Sequence, residues 1–236
     1  MENETSQKPE DLQVYLQPTK FIDSDSPVII EFARCSIANA QTDIEKAIRL
    51  YSDVRDGIRY DPYHIDLAPD ALKASAVLAR KTGFCVEKAI LLAAGARVVG
   101  IPSRLGFANV RNHLTTERLR QLVQTDVFIF HGYTELFLQN KWVKATPAFN
   151  LSLCERFGVK PLEFDGQHDS ILHPFDSQGN RHMEYLHDYG QFADLPYEQM
   201  VSEFKQHYPR LFRKDEMTIA SSFEEEALEE RTGAGL

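Results

Sequence analysis

The feature that most constrains this chain is the run Thr82-Gly83-Phe84-Cys85-Val86-Glu87-Lys88-Ala89 and its continuation Ile90-Leu91-Leu92-Ala93-Ala94-Gly95-Ala96-Arg97-Val98-Val99. The continuation is apolar and alanine-rich, so it reads as a helix that the rest of the fold must bury. Gly83 reads as a turn and Thr82 as the N-cap, which sets Cys85 in the first helical turn. Unpaired backbone N–H groups and the positive end of the helix dipole favour thiolate there, the nucleophilic form. The alternative for a free cysteine is a small buried hydrophobe. Glu87 and Lys88 read as ordinary surface charges of this helix.

A second informative stretch spans residues 127–147, from Val127-Phe128-Ile129-Phe130-His131 to Trp142-Val143-Lys144-Ala145-Thr146-Pro147. Aromatic and β-branched residues flank a polar break at Gln139-Asn140-Lys141, which reads as a β-hairpin. Strand alternation puts His131, Tyr133, Glu135 and Phe137 on one face. Glu135 is expected to be an exposed strand residue and Trp142 a packing residue. Thr146, or alternatively Asn150, lies on the returning strand within reach of His131. A two-residue turn at Asn140-Lys141 would set Asn150 opposite His131. Such an arrangement suits a cysteine nucleophile: a histidine moves the thiol proton, and a third polar residue fixes the imidazole tautomer.

The segments GFCVEKAILLAAGARVVGIPSRLG and HGYTELFLQNKWVKATP together resemble the transglutaminase-like superfamily of papain-like cysteine enzymes. The resemblance covers about residues 48–150, and the later part of the chain is similar to uncharacterised bacterial members of that family. It implies an α+β fold in which a central helix bearing the cysteine packs on an antiparallel sheet. By position it makes Cys85 the nucleophile, His131 the general base and Thr146 the third residue. Thr146 departs from the family, where aspartate usually precedes the proline. Threonine can accept a hydrogen bond from imidazole but supplies no charge. The implied chemistry is a Cys-His-Thr or Cys-His-Asn triad working through a thioacyl intermediate, as an amide or peptide hydrolase or an acyl transferase. No cofactor is required, and the chain shows no acidic loop motif for calcium.

The net charge of −9, with no basic cluster, argues against nucleic-acid binding and against an anionic membrane surface. The acidic N-terminus lacks the pattern of a signal peptide, and no apolar run is long enough to span a bilayer. Cys35, Cys85 and Cys154 are odd in number and widely spaced, which argues for a reducing cytoplasm. Residues 1–12 read as disordered and 13–215 as one domain, with a core at about 48–150 and a polar flap at about 160–190 over the Cys85 cleft. Residues 216–236 read as an acidic tail. Segments 14–22 and 28–32 read as short strands or extended arms. His168, His173, His182 and His187, with Asp169, Asp176 and Glu184 nearby, invite a metal reading, but their spacing is poor for zinc and no metal is expected. The opposing reading is a non-catalytic ligand- or protein-binding module that retains the fold. The sequence leaves the oligomeric state open.

Overall fold

The computed structural model describes residues 11–112, 115–171, 183–212 and 222–233. In chain order they form α1 (Pro27–Ser36), α2 (Asp43–Gly57), β1 (Arg59–Tyr60), α3 (Ala74–Arg80), β2 (Thr82–Gly83), α4 (Cys85–Val98), β3 (Ser103–Asn112), α5 (Glu117–Val123), β4 (Val127–Leu138), β5 (Lys141–Ala145), α6 (Leu151–Phe157), β6 (Met183–Phe192), α7 (Tyr197–His207) and α8 (Phe223–Gly233).

The apolar run is the centre of the molecule. Every residue of α4 from Cys85 to Arg97 is buried. One side lies on an antiparallel sheet of order β5-β4-β3-β6, where Thr134 Oγ1 donates to Ala89 O at 2.8 Å. α1, α2 and α3 pack around the rest of the helix. Glu87 and Lys88 are therefore core residues and not surface charges. Lys88 Nζ donates to Arg55 O at 2.8 Å and Ile58 O at 2.6 Å, which satisfies carbonyls at the open end of α2. Glu87 Oε2 accepts from Phe84 N at 3.0 Å, and its other oxygen pairs with Arg80.

The start of α4 also differs from the sequence expectation. Thr82 and Gly83 are in β2, paired in parallel with β1 through Arg59↔Thr82 and Tyr60↔Gly83. Phe84 takes the N-cap position, and the Glu87 carboxylate does the capping. The β-branched stretch after Pro27 is helical and not extended, because Ser26 precedes a Pro at the first helical position and Ile29 and Ala33 meet the core one turn apart. Segment 14–22 begins in a short 3₁₀ turn, Leu12–Leu16. On the sheet face away from α4, Glu135 is 3% exposed. It accepts from Arg104 Nε at 2.6 Å, and that guanidinium lies 4.0 Å over the Trp142 ring.

The region after Asn150 is more ordered than its composition suggests. Residues 183–192 are a sheet strand, β6, hydrogen-bonded to β3, where a polar loop was expected. The acidic tail carries α8, whose Phe223 and Ala227 are buried.

Candidate active site

Cys85 is the first residue of α4, and β4 crosses directly over it. Gly132 makes that approach possible: a Cβ on it would stand 2.8 Å from Val86 Cα. The backbone amides of Gly132 and Val86 favour the charged form of the Cys85 sulfur. His131, one residue earlier, follows a β-bulge. The β3–β4 register runs Ala108↔His131 and then jumps to Val110↔Phe128, and Phe130 has a left-handed φ of 60°. A bulge leaves unpaired backbone groups and re-aims the next side chain. Here Phe130 N donates to Asn109 Oδ1 at 3.1 Å and Ile129 N to Tyr208 Oη at 2.5 Å. Asn109 and Tyr208 thus hold the backbone that presents His131. Neither was singled out from sequence, since both act through contacts across the fold.

Cys85 and His131 line the same narrow cavity of about 40 Å³. Tyr60, Pro62 and Ile65 follow from β1, Phe84 precedes α4, and Leu119 and Val123 belong to α5. Phe128 and Ile129 of β4, with Phe204 and Tyr208 from α7 and just beyond it, close the remaining side. Among the described residues no lining residue carries a formal charge when His131 is neutral. Among the described residues the cover over Cys85 comes from α5 and α7, and residues 172–182 of the expected flap lie outside the described residues.

Burial dominates the electrostatics. It pushes the Cys85 thiol up to about 11, against the backbone N–H groups that favour thiolate. The same burial pushes the His131 imidazole down to about 4. The helix-start argument for a ready-made thiolate is therefore outweighed by desolvation, and the cavity holds a neutral thiol and a neutral imidazole at rest. Burial also raises the Tyr60 hydroxyl well above its usual range, with the charge of a Cys85 thiolate acting in the same direction.

The two candidates for the third position differ sharply in their partners. Asn150 Oδ1 accepts from Tyr60 N at 3.0 Å, and its Nδ2 donates to Ser152 Oγ and Glu224 Oε1, each at 2.7 Å. Thr146 is held by its backbone, with N donating to Ser170 O at 3.0 Å and O accepting from Tyr51 Oη at 3.2 Å. Its Oγ1 and His131 Nε2 are both buried without a hydrogen-bond partner among the described residues.

Of the four histidines that invite a metal reading, two are described. His168 is exposed, with Nδ1 2.7 Å from Asp165, and His187 lies edge-on to Tyr189 on β6. His173, His182 and Asp176 fall outside the described residues. Among the described residues no group of three potential ligands is close enough to hold a metal ion, and no helix is long and apolar enough to cross a membrane.

A cysteine heading a buried helix, with a histidine strand of an antiparallel sheet folded against it, defines the papain-like class of cysteine-dependent enzymes. Within that class the chain belongs to the transglutaminase-like superfamily, whose family model matches residues 30–147. No curated protein matches the sequence at a significant level. Among solved structures, the arylamine N-acetyltransferase of Salmonella typhimurium is similar at 15% identity and a TM-score of 0.48, over 82% of this chain and 72% of that one. A candidate cysteine protease from Cytophaga hutchinsonii is similar at 14% identity and a TM-score of 0.47 over 78% of this chain. The alignment spans 55% of that protein.

Proposed function

We propose that the chain is a cysteine-dependent amide or peptide hydrolase, or an acyl transferase, with Cys85 as nucleophile and His131 as general base. The observation that carries the reading is the shared cavity of Cys85 and His131 at the start of a buried helix, where the backbone amides of Gly132 and Val86 favour thiolate. In this reading His131 takes the thiol proton as sulfur attacks a carbonyl carbon. The resulting imidazolium returns the proton to the departing amine. Water, or a second amine, then releases the acyl group from Cys85. Hydrolysis and transfer share the first half-reaction. Backbone N–H groups around Cys85 serve the oxyanion.

Thr146 is the better supported third residue. The β4–β5 register pairs Thr134 with Ala145, the last residue of β5, and the same register continued by one step would bring Thr146 across from Tyr133 and diagonal to His131. Among the described residues the Thr146 hydroxyl and His131 Nε2 are each buried without a hydrogen-bond partner, and so are not bonded to each other, whereas the Asn150 side chain is fully engaged and has no group left for the ring. In this reading the free hydroxyl of Thr146 comes to the ring on substrate binding and orients it without supplying a charge.

The test is acylation and turnover. Cys85 should form a thioester with an activated acyl donor, read by intact mass, and Cys85→Ala should remove both the adduct and all turnover. His131→Ala should lower turnover by about 10³-fold or more, because the two groups act as one unit. A chelator should change nothing. Turnover surviving Cys85→Ala would overturn the assignment. No turnover with an inert Cys85 would favour a binding module, a reading that draws on the threonine at the third position.

A further inference from the structure

Resting on that reading, we propose that the acyl group carried by Cys85 is short, aliphatic and uncharged, about two to four carbons long, and that α5 and α7 set this limit. Three observations converge on it. First, the cavity reaching Cys85 holds about 40 Å³. That is room for a few waters or a short alkyl chain, and well below the ~150 Å³ cavity that accepts a benzene ring. Second, among the described residues its walls offer no Lys, Arg, Asp or Glu. Leu119 and Val123 of α5 line it together with Phe84, Phe128 and Phe204, and a carboxylate entering there would lose its hydration with no cation to offset the loss. Third, the walls are fixed. Phe204 is 3% exposed and packs against both Phe84 and Tyr208. The Tyr208 hydroxyl bonds to the backbone of β4 at Ile129 N and Val127 O. The slot is thus bolted to the strand that carries His131, and widening it requires α7 to leave β4.

The experiment is a series of p-nitrophenyl esters: acetyl, butyryl, octanoyl, benzoyl and succinyl. In the step observed, the Cys85 S–C bond forms and the ester C–O bond breaks. The thiol proton passes through His131 to the departing p-nitrophenolate. Acetyl and butyryl esters should acylate Cys85 at least about tenfold faster than the benzoyl and succinyl esters, with octanoyl also slow. Phe204→Ala should bring the benzoyl ester within about threefold of butyryl while succinyl stays slow. Val123→Ala, a smaller change in the same wall, should give a partial shift should the Phe204 variant fold poorly. Benzoyl or succinyl rates equal to butyryl in the unsubstituted protein would overturn the inference and leave the nucleophile assignment standing. If no ester acylates Cys85, both fail together.

Discussion

A methyl group on Gly132 would meet Val86 Cα at 2.8 Å, so β4 must move before the site can accept any larger residue. Gly132→Ala should therefore cost about 1–3 kcal/mol of stability. Its effect on rate should be larger, roughly 10²-fold in kcat, because a displacement of about 1 Å separates nucleophile and base. Thermal unfolding and single-turnover acylation measure the two effects separately. The neutral resting pair makes a second prediction. With the thiol near 11, alkylation of Cys85 by iodoacetamide should keep rising through alkaline pH, with no plateau in the mildly acidic range. The imidazole is near 4 in the fold and near 6.5 when unfolded. Between those values the unfolded chain binds the extra proton, so stability rises with pH across that window and is lost on acidification. The loss approaches about 3 kcal/mol by pH 4. His131→Gln should remove this slope from the difference between denaturation curves taken at pH 4 and pH 7. A carboxylate introduced by Thr146→Asp should raise the His131 pKa and move the acid limb of activity upward. An unchanged limb would place residue 146 outside the reach of the ring.

At the scale of elements, the β4–β5 hairpin decides which third residue is available. The sequence offers a turn somewhere in Gln139-Asn140-Lys141. The chain turns at Gln139-Asn140, both with positive φ, and pairs Leu138 with Lys141. That register takes Asn150 out of line with His131 and leaves it as the N-cap residue of α6. Composition alone leaves such a choice open, because a polar tripeptide fits either two-residue turn. Gln139 at φ 48° is a poor residue for a mirror-image turn, whereas asparagine and glycine accept it. Gln139→Gly should therefore stabilise the protein by about 0.5–1 kcal/mol. A shift of the urea midpoint without a change in slope checks it. α4 itself was legible because an unbroken apolar run has no other home. The burial of Glu87 and Lys88 was not, since their partners are Arg80 and the end of α2, distant in sequence and invisible to helical periodicity. The bulge before His131 was hidden for the same reason, its backbone being held by Asn109 and Tyr208.

At the scale of the whole molecule, the C-terminal segment belongs to the body that frames the slot. Its run of glutamates suggests a solvated helix, yet two of them, Glu224 and Glu226, are matched by partners in the body of the fold. Glu226 pairs with Arg118 and accepts from the Tyr63 hydroxyl, and Glu224 accepts from Asn150 and lies 3.6 Å from Arg156. Phe223 sits edge-on to Tyr60, Tyr63 and Phe157, at centroid distances of 5.6 to 5.8 Å. Tyr60 is a wall of the cavity and takes a second brace from Asn150, so α8 supports the site from behind without lining it. Phe223→Ala should remove about 3 kcal/mol, lowering Tm by roughly 6–12 °C. Because the lost packing lies against Tyr60, Cys85 should also alkylate several-fold faster than in the unsubstituted protein at a temperature where both are folded. Removing the chain after residue 221 should reproduce both effects more strongly. A variant with unchanged Tm and unchanged Cys85 reactivity would show that α8 is an appendage, and the cavity would then owe its shape to the residues before 213 alone.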